Sequence, residues 1–315
     1  MAHNNKTRPN CFDFFWFTAL MAENVKTKDL KSIHRRLSEE SIDPEQITLN
    51  QIYTLCPELQ DKLRDVDLDE LYDQYEALRR EGVIIVHPFR KEVRKLFDSN
   101  PHLPPVLLCK GNIGLLSAPS VAVIGSRNAS QLGLKAAREI AGALAKEGIN
   151  VVSGYAKGVD TEAHLGALES EGTTTIVLSY GISQFKLKRA FPKTYLDQDM
   201  LVVSQFPPDD PWAVGRAMAR NKVILALSSC VVVIECGPES RGTYAAADIA
   251  FKMNKKLFVL SDKYFGEKAP AGNVELLKEG ALEITDPSAI SEIVKEAKAQ
   301  KEPGEDSQES LPFQN

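Results

Sequence analysis

Val121-Ala-Val-Ile-Gly-Ser-Arg127 and, further on, Ile149-Asn-Val-Val-Ser-Gly-Tyr-Ala-Lys-Gly-Val-Asp160 each run from a short apolar stretch into a glycine-rich turn. An apolar run without polar alternation reads as a strand covered on both faces. Between the two lies an amphipathic helix over 132–146, stopped at Gly148. The same rhythm continues with a helix over 161–170 and strands at 175–178, 201–204, 231–235 and 257–260. Strand–helix alternation predicts right-handed crossovers and an α/β fold with a doubly wound, mostly parallel sheet.

Outward from this centre the pattern changes. Leu30, Ile33, Leu37, then Leu68, Leu71, Tyr72, Tyr75 and Leu78 recur at helical spacing. Asp67 is placed to cap the last of these helices, with Glu70 completing a capping box. The expected organisation is a small helical domain over 1–82, an α/β domain over 83–285, and an acidic, disordered tail over 286–315. Residues 284–315 hold seven acidic against three basic residues.

The 315-residue composition, 43% hydrophobic and 26% charged, supports a full core and excludes a mainly disordered or collagen-like chain. No apolar run approaches the length of a membrane span, and no signal peptide is read at the start. Five scattered cysteines without a Cys-x-x-Cys pair fit a reduced cytoplasmic chain without structural zinc. The net charge of −5 argues against a general nucleic-acid coat protein. Locally, Lys186, Lys188, Arg189 and Lys193 cluster, followed by Arg216, Arg220 and Lys222. They form a positive patch or a solvated face.

In an open α/β sheet, ligands bind beyond the C-terminal ends of the strands. The first loop there, Gly125-Ser126-Arg127, lets amides approach a phosphate at a helix N-terminus, or it is an ordinary tight turn. The second carries Ser153, Gly154, Lys157 and Gly158, with Asp160 preferred as a helix N-cap and His164 as a packed histidine rather than a base. Arg216 and Arg220, four apart, share a helix face that is a phosphate rail or merely solvated. Glu235 ends a buried strand before Gly242-Thr243; it is an acid, a base or, preferably, an acceptor for loop amides. Phe185, Phe191 and Tyr195 stack a base or, preferably, pack in the core. There is no Gly-x-Ser-x-Gly, no His-Glu-x-x-His and no ligand cluster of metal spacing. The constellation favours binding a phosphate backbone over chemistry, with no cofactor.

Taken together, these segments resemble the DNA-processing protein A (DprA/Smf) family. The resemblance rests on Val121-Ala-Val-Ile-Gly-Ser-Arg127, Ser153-Gly-Tyr-Ala-Lys-Gly-Val-Asp160 with Ala163-His164, and Arg220-Asn-Lys-Val-Ile224. It continues in Val233-Ile-Glu235 with Gly242-Thr243, and in Gly272-Asn273 with Gly280-Ala281. It implies an extended Rossmann-like fold that binds single-stranded DNA, protects incoming strands and helps load RecA in natural transformation, commonly as a homodimer. By position, Arg127, Lys157, Arg220, Asn221 and Lys222 would line the strand path, with Ser126, Gly154 and Gly158 giving close backbone approach. With Gly125, Ser153, Arg216, Gly242 and Thr243 from the loops, these make the full candidate set. Lys157 stands where the family often has Arg, and the winged-helix-like C-terminal domain of many members is expected to be absent. The alternative is a nucleotide-ligand sensor or nucleotide hydrolase of the wider Rossmann-like group. The cytokinin-activating phosphoribohydrolases share the Gly-Thr turn, but Ala246 stands where they place a Glu.

Overall fold

A computed structural model describes residues 12–40, 49–191, 198–237 and 239–299. Among the described residues five helices come first: α1 (Phe12–Met21), α2 (Thr27–Glu39), α3 (Leu49–Leu55), α4 (Pro57–Lys62) and α5 (Leu68–Arg80). Asp67 caps α5 by accepting from Asp69 N and Glu70 N. Glu70 does not reach back to close a box; its carboxylate accepts from Gln74 instead.

The remainder alternates. It runs β1 (Val83–Val86), α6 (Arg94–Asp98), β2 (Leu107–Gly111), β3 (Ser120–Ile124), α7 (Gln131–Lys146), β4 (Asn150–Ser153), α8 (Val159–Glu169), β5 (Thr174–Val177) and β6 (Met200–Ser204). After these come α9 (Val214–Ala226), β7 (Cys230–Val233), α10 (Arg241–Lys252), β8 (Leu257–Leu260), α11 (Asp262–Phe265), α12 (Ala271–Lys278), β9 (Leu282–Ile284) and α13 (Ser291–Ala299).

The strands form one nine-stranded sheet in the order β1-β2-β6-β5-β4-β3-β7-β8-β9. The seven from β6 to β9 are mutually parallel, and β2 is antiparallel to both neighbours. This is the doubly wound, mostly parallel α/β sheet expected from the strand–helix rhythm, preceded by helices. Every residue of β3 is buried, and the strand serves two layers. Val121 and Val123 join Ala136, Ile140 and Ala163 of α7 and α8, while Ala122 and Ile124 join Ile224 and Ala247 of α9 and α10. That is the physical content of an unbroken apolar strand.

The N-terminal helices cover the other half of the α7/α8 side. Phe15, Trp16 and Phe17 of α1 share a buried cluster with Ile85, Leu108, Ile176 and Val202 of the sheet. Of the stretch expected to be a disordered tail, residues 291–299 form α13. Ile290, Ile293 and Ala297 are buried in one cluster with Cys230 and Val232, and Ser229 Oγ reaches the Ala297 carbonyl (3.4 Å). The acidic composition hid this apolar spacing. Residues 300–315, and with them the rest of that expectation, lie outside the described residues, as do Cys11, Lys193 and Tyr195.

Candidate nucleic-acid interface

From β3 the chain winds through β4 and β5 to β6, then returns through α9 to β7 on the other side of β3. The winding direction reverses between β3 and β7, so the loops leaving these two strands part and open a crevice. The loop after β3 is tied to the end of β7. Ser126 N donates to the Glu235 carbonyl (2.8 Å), and Ser130 N and Oγ donate to the Glu235 carboxylate (3.0 and 2.7 Å). Ser130 Oγ in turn accepts from Gly133 N and caps α7 (3.1 Å). The Glu235 carboxylate is therefore an amide and hydroxyl acceptor, the preferred reading of the sequence. Gly125 lies under Val159 and the Glu235 carbonyl, where a Cβ would meet both. Arg127, at the tip, is exposed and has no partner among the described residues.

The loop after β4 is held more tightly than its sequence suggests. Gly158 has φ +83°, and a Cβ there would lie 2.6 Å from the Arg127 carbonyl oxygen, so the two loops touch backbone to backbone. Tyr155 also adopts a left-handed conformation (φ 61°). Lys188, from beyond β5, holds it there: its Nζ donates to the carbonyls of Tyr155 (2.9 Å) and Ala156 (3.2 Å) and to Thr161 Oγ1 (2.8 Å). The same ammonium lies 4.2 Å from the centre of the Tyr155 ring. Burial pulls the Lys188 pKa down, opposed by Asp160. Lys188 was expected in a surface patch; the sequence carried no signal that it serves as a latch.

Asp160 departs from its expected place. The helix starts at Val159 with Gly158 as N-cap, and the Asp160 carboxylate folds back to accept from Ala156 N (3.1 Å). Ser153 Oγ donates to the Val123 carbonyl (2.6 Å), which stitches β4 to β3 and turns the hydroxyl away from any ligand. Phe191 is buried and the Phe185 ring packs on Tyr155, so both serve the core. Lys157, at the loop tip, is exposed and without a partner among the described residues.

The cations of α9 do not form one solvent face. Arg220 is buried: its Nη1 donates to the Val177 carbonyl at the end of β5 (3.0 Å), and Nε has no partner among the described residues. Its guanidinium fills the space a Cβ would take on Gly154, and that Cβ would also lie 2.7 Å from Asp160 Oδ2. Burial lowers the Arg220 pKa, and Asp160 opposes the shift. Arg216 pairs with Asp210 (2.6 Å) and donates to the Pro211 carbonyl (3.0 Å). Asn221 Nδ2 donates to the Gly242 carbonyl (3.3 Å), joining α9 to the start of α10. Thr243 is buried beside it and Gly242 is exposed. Lys222 is exposed and unpartnered among the described residues.

His164, in α8, is fully buried. Its Nδ1 lies 2.6 Å from Thr174 Oγ1, and that hydroxyl donates to the Val151 carbonyl (2.7 Å). The hydroxyl proton being committed, Nδ1 carries the imidazole proton and Nε2 presents a lone pair with no partner among the described residues. Burial, with Lys188 and Arg220 nearby, holds its pKa down to about 3. Among the described residues no group of His, Cys, Asp and Glu could hold a metal ion, and no helix is long and apolar enough to cross a membrane.

Comparison with known proteins places this architecture. The family model described as DNA recombination-mediator protein A matches residues 85–295. DNA processing protein DprA of Streptococcus pneumoniae is 33% identical over 200 residues, which cover 62% of this chain and 67% of that one. Protein Smf of Escherichia coli is 32% identical over 191 residues, covering 60% of this chain but only 50% of its own length. The X-ray structure of the pneumococcal DprA superposes with a TM-score of 0.69 at 23% identity, covering 88% of this chain and 96% of that one. A structure of DNA processing protein A from Helicobacter pylori, concerned with that protein's single-stranded DNA binding mode, gives 0.56 at 27% identity. It covers 69% of this chain and 96% of the other. The chain belongs to the DNA recombination-mediator protein A family.

Proposed function

We propose that this chain binds single-stranded DNA as a non-enzymatic recombination mediator in the cytoplasm, protecting incoming strands and helping a RecA-type recombinase to load, as a homodimer. The observation that carries the binding role is a division of labour among charges. Arg127, Lys157 and Lys222 stand exposed and unpaired among the described residues at the C-terminal side of the sheet. The carboxylates of Glu235 and Asp160, by contrast, are engaged by main-chain amides. Such cations suit phosphates without regard to sequence. The same engagement supports the non-enzymatic reading: Glu235 is committed to a loop, and His164 is locked neutral in the core. The relatives' names and the Helicobacter structure support the single strand as ligand and a mediator as the role.

The test is fluorescence anisotropy of a labelled oligonucleotide at two salt concentrations with duplex as competitor. Each single-strand phosphate contact contributes about −0.7 to the slope of log affinity against log salt. Three contacts give about −2, or a roughly 20-fold loss between about 50 and 200 mM salt. Arg127→Ala and Lys222→Ala should each weaken binding and flatten the slope by about one contact. Unchanged affinity and slope in both variants removes these residues from the strand path. No binding at low salt rejects the DNA role and favours a nucleotide ligand, to be sought by thermal stabilisation and hydrolysis. Recombinase assembly on the bound strand, with and without the chain, tests the loading role.

A further inference from the structure

Of the aromatic residues first considered for base contact, Phe191 is buried and Phe185 packs on Tyr155, while Tyr195 lies outside the described residues; a different large aromatic stands in solvent. Trp212 is 51% exposed, two residues before α9, and is followed by Val214 (67% exposed) and Met218 (39%). Val214, Met218 and Lys222 recur every four residues and so share one stripe of the helix. Trp212 sits on a braced segment. Arg216 clamps it through Asp210 and the Pro211 carbonyl and lies 5.9 Å from the centre of the Phe206 ring. Gly181 N and Ser183 N hold the Asp210 and Pro208 carbonyls (2.8 and 3.0 Å). An indole held out in water on a fixed loop, continuous with a helix stripe that ends in an exposed lysine unpartnered among the described residues, combines an apolar plane with a cation. That pairing complements a polymer of flat bases and anionic phosphates.

We propose that Trp212, with Val214 and Met218 beside it, is the platform on which bases of the bound single strand stack while a phosphate further along the strand meets Lys222. This rests on the strand-binding function proposed above and assigns its base contact. Arg216, expected as a phosphate ligand, acts here as the brace that presents the indole.

The chain has two tryptophans, and Trp16 is fully buried, so quenching of tryptophan emission by an unlabelled oligothymidylate reports on Trp212. Quenching should saturate with the anisotropy signal. Trp212→Ala should weaken binding about ten-fold with an unchanged salt slope, because no counterion contact is lost. Trp212→Phe should recover most of the affinity. On an abasic strand of equal length, wild type and Trp212→Ala should bind equally. If the wild type binds with the expected salt slope but neither quenching nor a Trp212→Ala effect appears, the platform is refuted while the strand-binding function stands. If the wild type does not bind at all, both fail. A fall in sedimentation mass on Trp212→Ala with unaltered DNA affinity overturns the proposal in favour of a contact between two copies of the chain.

Discussion

Acidification should unfold this protein through His164 before it touches any surface group of the interface. The imidazole is wholly inside, its Nδ1 proton given to Thr174 and its Nε2 facing no acceptor among the described residues, with Lys188 and Arg220 nearby. A proton on Nε2 would thus be a second buried charge without a counter-ion. Its folded pKa is held down to about 3, whereas in the unfolded chain it titrates near the ordinary histidine value of about 6.5. A folded value below the unfolded one means that the unfolded chain takes up the proton first. The contribution is complete above about pH 6.5 and is lost as pH falls towards 3. At about pH 5 the unfolded chain gains about 1.5 pH units of protonation free energy, or about 2 kcal/mol. The perturbation is His164→Gln, which cannot titrate and keeps an amide to face Thr174. Urea unfolding of both proteins at pH 7, 6 and 5 gives the comparison. Wild type should lose about 2 kcal/mol more than the variant between pH 7 and 5, whatever the variant costs at pH 7. Parallel pH profiles would refute the reasoning, as would a His164 ring resonance that titrates near pH 6 in the folded protein.

Two further outcomes follow from the loop architecture. Lys188→Met removes three charge-assisted hydrogen bonds from a half-buried ammonium, so it should destabilise by about 2 kcal/mol and speed hydrogen exchange at 154–161; the salt slope of DNA binding should stay constant, since no phosphate contact is lost. Glu235→Ala strands Ser130 N and its hydroxyl beneath the first loop, and should cost about 1–3 kcal/mol by thermal or urea unfolding, with Glu235→Gln intermediate because one amide oxygen still accepts.

The sheet was legible because buried parallel strands write themselves as apolar runs. β3 and β4 run straight into Gly125 and Gly154, and β5, β6, β7 and β8 show the apolar run without an immediate glycine. β2 was not legible: Leu107–Gly111 follows two prolines and ends in Lys110-Gly111, and its antiparallel place between β1 and β6 depends on pairing partners far away in sequence. The loops were located correctly and Glu235 was read as an acceptor for loop amides, but the partners of Arg216, Arg220 and Asp160 were not legible. Helical spacing puts Arg216 and Arg220 on one face, yet it cannot say that one meets Asp210 and the other enters the space above Gly154. Asp160 looked like a cap because Asp caps helices, whereas the cap is Gly158 at positive φ and the carboxylate serves the loop behind it. Lys188 and Trp212 are single residues in unremarkable sequence. Their importance comes from what surrounds them in space.

A chain of net charge −5 can hold a polyanion because charge acts over about 8 Å at physiological salt, not over the whole molecule. Residues 284–315 carry a net −4 of the chain's −5, whereas the loops after β3 and β4 and the second half of α9 present Arg127, Lys157 and Lys222 to solvent. Arg220 acts differently. It contacts the floor of these loops rather than solvent, with the Asp160 carboxylate as an opposing charge and no salt bridge to it among the described residues. A cation in a low-dielectric floor projects a stronger potential than one of equal charge in water. Its cost in desolvation is met by the Val177 carbonyl and by the space that Gly154 leaves open. The exposed cations set the salt dependence of binding, because each exchanges a counterion. The buried one sets the shape of the loops and a field that salt barely screens. Substituting Arg220 therefore perturbs fold and affinity together, and only the exposed three give a clean reading of the strand path.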